Sequence, residues 1–306
     1  MQWIKQGFIY GPDGSSDWAL TSALTPTPLL KDETTIRVYA GFRDIQGISR
    51  IGYVDLDAAD PKHILGVSAV PVLDVGRKGA FDDNGVILGD VIRVGDEVHM
   101  YYVGFQQVNK VKFLAFTGLA VSRDNGNSFQ RYSEAPVLDR SGNGLYIRAI
   151  HSVMREGDRF RIWYACGNGW EEINGTPYPR YHIRHLESPD GIEFKGEGEL
   201  CVDVQGSEYR IGRPRVFRHH DRYAMHYTRG TVQGDYLAGY AESADGIRWE
   251  RKDDELGIGL SAEGWDSRHL CYPAVLKGGN RTYMFYNGND MGRDGFGYAL
   301  LAGDNQ

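Results

Sequence analysis

The sequence predicts an all-β fold, a five-bladed β-propeller with four antiparallel strands per blade, on three observations. An apolar strand ending in tyrosine, followed by a polar loop and a second apolar strand, recurs five times along 306 residues. The recurrence is nearly periodic: the closing tyrosines are Tyr39, Tyr102, Tyr164, Tyr227 and Tyr286, spaced by 63, 62, 63 and 59 residues. The composition, with 40 glycines and 19 tyrosines, suits many short strands and tight turns rather than long helices.

The first strand of each unit is marked by a valine eleven residues before the tyrosine in four copies (Val91, Val153, Val216 and Val275), and by Pro28-Leu29-Leu30 in the first. The tyrosine-bearing segments, such as Phe160-Arg161-Ile162-Trp163-Tyr164, are second strands. Third strands read Ile51-Gly52-Tyr53-Val54, Gly118-Leu119-Ala120-Val121, His182-Ile183-Arg184-His185, Ala238-Gly239-Tyr240-Ala241 and Gly297-Tyr298-Ala299-Leu300. Three copies then show a Ser-x-Asp-Gly or Ser-x-Asp-Asn-Gly turn and an aromatic residue (Phe129, Phe194, Trp249) that opens an outer fourth strand. Asp-Gly and Asn-Gly supply the positive φ that such turns need. The fifth copy ends at Ala302-Gly303-Asp304-Asn305-Gln306 without an outer strand, and Trp3-Ile4-Lys5 resembles Trp249-Glu250-Arg251. The expectation is that the amino-terminal strand completes the last blade, since an open edge invites aggregation. The blades then run over about 15–76, 77–138, 139–203, 204–260 and 261–306 plus 1–14, one domain in all, and the repeated aromatics pack between them.

A net charge of −7 argues against a nucleic-acid partner, which needs concentrated Lys and Arg. Met1-Gln2-Trp3-Ile4-Lys5-Gln6 has no apolar signal core and no segment approaches the roughly eighteen apolar residues of a membrane span, so the expectation is a cytoplasmic protein with no membrane partner. Cys166, Cys201 and Cys271 are odd in number and widely spaced, which speaks for small core residues rather than a disulfide frame.

The repeated strand, tyrosine, Gly-Tyr-Ala strand and Ser-x-Asp-Gly-x-x-Trp turn resemble the arabinanase, levansucrase and invertase superfamily, which holds glycoside hydrolase families 43, 32, 68 and 130. The resemblance covers the whole chain. It implies that functional groups sit near the start of each innermost strand: Thr25-Pro26-Thr27, Leu88-Gly89-Asp90, Ile150-His151-Ser152, Arg213-Pro214-Arg215 and Tyr272-Pro273-Ala274. Family 43 chemistry asks for an Asp base in blade one, a supporting Asp in blade two and a Glu acid in blade three, because one carboxyl protonates the leaving oxygen while another activates water or attacks the sugar. Asp90 matches. Thr25-Pro26 stands where Asp-Pro is expected, and Ile150 where Glu is expected.

Candidate catalytic acids are therefore Asp90 and Asp83, with Asp17, Glu172 and Asp266 in flanking loops as substitutes. Arg148, His151, Arg213 and Arg215 fall on the inner strands of blades three and four in an acidic protein, which suggests an anionic ligand, or an internal ion-pair network with Asp90, Asp83 or Asp266. Strand alternation puts Arg213 and Arg215 on one face, to act together. Tyr272, Trp170 and Trp265 are candidates to shape a sugar subsite.

These readings lead to a carbohydrate-active enzyme that cleaves or transfers a glycosyl group, in the manner of a glycoside hydrolase or phosphorylase, on a carbohydrate, sugar phosphate or nucleotide sugar. A non-catalytic glycan-binding propeller and a lyase using His151 as base are the alternatives. No cofactor is required. Related propellers often hold an ion on the axis, so an axial metal ion stays open, although no His/Asp spacing calls for one.

Overall fold

The computed structural model describes residues 1–303; Asp304, Asn305 and Gln306 of the tail lie outside the described residues. The described residues are all-β apart from a 3-10 turn at Asp253–Glu255 and one short turn at Asn289–Gly292. Among the described residues no helix is long and apolar enough to cross a membrane.

Strand β1 (Trp3–Tyr10) opens the chain. Four antiparallel sets of four strands follow in sequence. The first is β2 (Thr21–Leu30), β3 (Thr35–Arg43), β4 (Ser49–Asp57) and β5 (Ile64–Val67). The second is β6 (Val86–Val94), β7 (Glu97–Gln106), β8 (Leu114–Ser122) and β9 (Gln130–Arg131). The third is β10 (Ile147–Glu156), β11 (Arg159–Ile173), β12 (Thr176–Ser188) and β13 (Glu199–Val202). The fourth is β14 (Glu208–His219), β15 (Arg222–Thr231), β16 (Tyr236–Ser243) and β17 (Glu250–Arg251). A fifth set is β18 (Cys271–Gly278), β19 (Arg281–Asn287) and β20 (Phe296–Leu301), to which β1 adds as the fourth, antiparallel strand.

The period in the sequence becomes the register of these sets, because each repeating tyrosine lies on a second strand. Those strands are buried almost without break, as in β3, rather than alternating. A strand buried on both faces needs a neighbour on each side. First strands touch in a cycle: β2 with β6, β6 with β10, β10 with β14, β14 with β18, and β18 with β2. The outer strands are shorter than the aromatics suggest: β9 and β17 have two residues each, and Phe194 precedes β13 rather than opening it.

The Ser-x-Asp-Gly turns also join one set to the next. Ser188 Oγ accepts the Gly191 N–H at 2.9 Å and Ser243 Oγ accepts that of Gly246 at 2.8 Å. The turn aspartates accept two further backbone N–H groups each, as Asp190 does from Ile192 and Glu193. Each turn glycine, at φ +79, +73 and +76° for Gly126, Gly191 and Gly246, then offers its carbonyl to an aromatic donor of the preceding set. Tyr39 Oη donates to Gly126 at 2.9 Å, Tyr101 Oη to Gly191 at 2.8 Å, and Trp163 Nε1 to Gly246 at 2.8 Å. A Cβ on Gly126 would stand 2.1 Å from Tyr39 Oη, so the turn needs glycine for space as well as for φ.

All three cysteines are free, with Cys166 and Cys271 buried and Cys201 partly so. Several histidines are packed in their neutral form. His226 is fully buried among Trp3, Phe217 and Tyr240, and neither ring nitrogen has a hydrogen-bond partner; burial lowers its pKa to about 3. Burial, then the charge of Arg161, lowers His185 to about 4. Both groups titrate near 6.5 when unfolded. Their folded pKa values are depressed, so their stabilisation is complete above about pH 6.5 and is lost as pH falls towards 4 and 3, at about 1.4 kcal/mol per pH unit for each. The urea midpoint is expected to fall steeply between pH 6.5 and 4. His226→Phe should flatten that slope; an unchanged slope would show that His226 is not held neutral.

Candidate functional site

The first strand of every set carries a β-bulge at the same place. The register shifts lie between Leu24 and Thr27, Leu88 and Asp90, Ile150 and Ser152, Gly212 and Arg215, and Cys271 and Ala274. The unpaired residues are Thr25-Pro26, Gly89, His151, Arg213-Pro214 and Tyr272-Pro273. Proline has no N–H to give to a ladder, and a bulge re-aims the side chain beside it. Thr25, Arg213 and Tyr272 take φ of +55, +58 and +56°, a conformation that costs about 1–3 kcal/mol each and persists where the surroundings enforce it.

Those bulges converge. Arg213 donates to Thr25 O at 3.2 Å, to Thr27 Oγ1 at 3.4 Å, to Leu88 O and to His151 Nδ1 at 2.9 Å, and its guanidinium lies 5.8 Å from the Tyr272 ring centroid. Five first strands thus contribute to one cluster. Arg213 is buried without a carboxylate partner, and burial, then the nearby Arg215 charge, lowers its pKa to about 9. Burial and the two arginines hold His151 well below the ordinary histidine range. Because Arg213 is the donor to Nδ1, the neutral ring carries its proton on Nε2.

Asp90 is buried and fully engaged. It accepts from Arg215 Nη1 at 2.5 Å, from the Val153 N–H at 2.7 Å and from its neighbour Val91 N–H at 2.8 Å. Arg215 also donates to Gly89 O at 3.4 Å and His151 O at 3.1 Å. The internal ion pair is therefore Asp90–Arg215, tying β6, β10 and β14 together. Simple alternation for Arg213 and Arg215 is corrected by the bulge: the two remain neighbours, but Arg213 faces the cavity while Arg215 faces Asp90.

An inner cavity of about 230 Å³ opens over this cluster. Its lining includes His151, Arg213, Arg210, Tyr236 and Tyr272, and Tyr236 Oη donates to Tyr272 Oη at 3.0 Å. It joins an outer vestibule of about 390 Å³ bordered by Arg43, Asn84, Gln107 and Lys112, and the two share Arg210, Tyr181 and Tyr236. Among the described residues no Asp or Glu lines either space, and Arg43, Lys112, Arg210 and Arg213 make no salt bridge. Among the described residues no three His, Cys, Asp or Glu side chains gather as a metal site. A donor set of His151 beside two arginines does not suit an axial cation.

The remaining expected residues lie elsewhere, and the carboxylates do not gather. Asp17 is exposed in the loop before β2. Asp83 accepts the Gly79 N–H at 2.8 Å and caps a turn. Glu172 is exposed on the hairpin of β11 and β12. Asp266 is buried against Lys5 Nζ at 2.6 Å and Tyr286 Oη at 3.0 Å, and Trp265 stacks on Tyr286 with centroids 5.0 Å apart. Arg148 turns to the carbonyls of Asp139 at 3.0 Å and Gly196 at 2.9 Å, away from the cavity. Trp170 packs on Tyr146 and Phe113 and borders a separate cleft with Arg180, His182 and Asp203. Sequence reasoning misses Arg210, Tyr236, Tyr181 and Lys112. Only Arg210 leaves a signal, three residues before Arg213 on the same strand.

The chain is similar to uncharacterized protein Rv1502 of Mycobacterium tuberculosis strain H37Rv, with 34% identity over 303 residues, 98% of this chain and 99% of that protein. Protein MT1551 of strain CDC 1551 matches to the same extent. This chain belongs to their family. No family model matches it. Among solved structures, a glycoside hydrolase superposes with a TM-score of 0.73 at 17% identity, covering 97% of this chain and 90% of that one. A thermostable family-43 glycoside hydrolase follows at TM-score 0.68 and 17% identity, over 94% of this chain and 90% of that one. A family-32 β-fructofuranosidase of Bombyx mori in complex with sucrose superposes at TM-score 0.67 and 13% identity, over 98% of this chain and 61% of that one. The all-β fold is one that these glycoside hydrolase structures share.

Proposed function

We propose that the five strand sets are the blades of one ring, with boundaries near 15–76, 77–138, 139–203, 204–260 and 261–306 plus 1–14, and that its axial cavity takes a sugar bearing an anionic group. The cyclic contacts of the first strands and the pairing of β1 with β20 support the ring. A single observation carries the ligand class: four cationic side chains border the cavity and vestibule, and no carboxylate lines either. Buried cations without partners are costly, and a phosphate or carboxylate would supply the missing charge through the fork of a guanidinium.

The reaction class is cleavage or transfer of a glycosyl group. Hydrolysis by two carboxylates needs a pair that this cavity does not present. A phosphate held by Arg210 and Arg213 fills the nucleophile's place: its oxygen bonds to the anomeric carbon as the glycosidic C–O bond breaks. The leaving oxygen takes the proton carried by the attacking phosphate monoanion, while His151 Nε2–H and the Tyr272 hydroxyl serve as hydrogen-bond donors in the cavity. The absence of a lining carboxylate also favours a second reading, a propeller that binds such sugars without turnover. A lyase with His151 as base is disfavoured, since Nδ1 already accepts from Arg213 and Nε2 carries the proton.

Incubation with sugar phosphates, nucleotide sugars, uronic acids and neutral oligosaccharides, followed by product analysis, tests the assignment. Turnover or binding is expected for anionic members, with a loss of at least about 100-fold in Arg213→Ala and Arg210→Ala. Preference for neutral sugars, or full activity in both variants, would overturn it; binding without product selects the second reading.

A further inference from the structure

The inner cavity has two unlike walls. Arg210, Arg213, Tyr236 and Tyr272 come from the fourth and fifth sets. The second and third sets also bring polar His151, Lys112, Tyr178 and Tyr181 to the cavity, but their aliphatic lining includes Ile87, Val103, Ala115, Ile147, Ala149 and Ala165. Five of those six also form a hydrophobic cluster of their own, with Ile87 packed against it, so this wall is continuous. Three alanines on one cavity wall leave room that larger side chains would fill. The aliphatic side chains of this wall have no group that can hydrogen-bond to a hydroxyl, and a bare sugar hydroxyl pressed against it would lose its water without replacement.

Resting on the anionic-sugar reading, we propose that the ligand carries an apolar group beside its charged group, and that the alanine-lined wall receives it while Arg210 and Arg213 hold the anion. The group is an apolar aglycone or an apolar substituent on the sugar; both present the same chemistry to the wall. Apolar contact of this kind contributes in proportion to buried area and carries a negative heat-capacity change on binding.

Calorimetric titration of the full chain with inorganic phosphate, phenyl phosphate and phenyl β-glucoside tests this. Phenyl phosphate is expected to bind at least about tenfold more tightly than inorganic phosphate, with a negative heat-capacity change. Ala149→Leu should fill the space and abolish that gain while leaving the inorganic phosphate affinity in place; Ala165→Leu is the second variant should the first misfold. Equal affinity for the two phosphates overturns this inference and leaves the anionic-sugar reading standing. Phenyl β-glucoside binding as tightly as phenyl phosphate overturns the anionic reading but not the apolar wall. If no probe binds, both fall. Titration with an aryl glycoside phosphate and a deoxyhexose phosphate then separates aglycone from substituent by which of them shows the gain.

Discussion

Deletion of residues 1–10 is expected to lower the melting temperature by roughly 10 °C or more, or to prevent folding. The segment is strand β1, and its loss uncovers the whole hydrogen-bonding edge of β20 from Phe296 to Leu301. It also removes Trp3, 3% exposed and packed with Ala238, Tyr240, Met284 and Tyr286 between the fourth and fifth sets. Truncating a buried tryptophan alone costs about 3–5 kcal/mol. Asp266 would further lose Lys5, its 2.6 Å partner, and be left as a buried carboxylate held only by Tyr286. Differential scanning calorimetry of the truncated chain checks this, and a melt within about 2 °C of the intact protein would show that β1 is dispensable.

Asp90→Ala is expected to destabilise the protein by about 3–5 kcal/mol, because it leaves Arg215 as a buried, unpaired cation. The carboxylate accepts from Arg215, Val91 and Val153, so its removal also takes the side-chain acceptor from two buried backbone N–H groups. Arg213 stands close to Arg215 and has no carboxylate of its own, so the lost charge is not replaced locally. The double variant Asp90→Leu with Arg215→Met should recover much of the loss, since an apolar pair of similar volume avoids the desolvation of both ions. Urea denaturation of the single and double variants separates the outcomes. A single variant within about 1 kcal/mol of the parent would mean that the pair is not structural, and would return Asp90 to the list of free acids.

Residues that act through their near neighbours are legible in the amino-acid sequence. Ser188, Asp190 and Gly191 close their own turn, and the 59–63 residue period of the tyrosines places the second strand of each set. The bulge positions are also within reach, since Thr25-Pro26, Arg213-Pro214 and Tyr272-Pro273 mark interrupted ladders. The fate of the charges is not. Asp90 and Asp266 look equally free along the chain, yet the first is taken by Arg215, 125 residues away, and the second by Lys5, 261 residues away.

Local pattern therefore specified the strands, the turns and the amino-terminal strand that completes the last set, because backbone propensity, turn chemistry and periodicity act over a few residues at a time. Stacking of the sets decided which carboxylates are neutralised, which arginine faces the cavity, and which aliphatic side chains of the second and third sets line it beside the arginines. The reason is physical: ion pairing and desolvation depend on distances between side chains from different sets, and those distances exist only once the first strands have met.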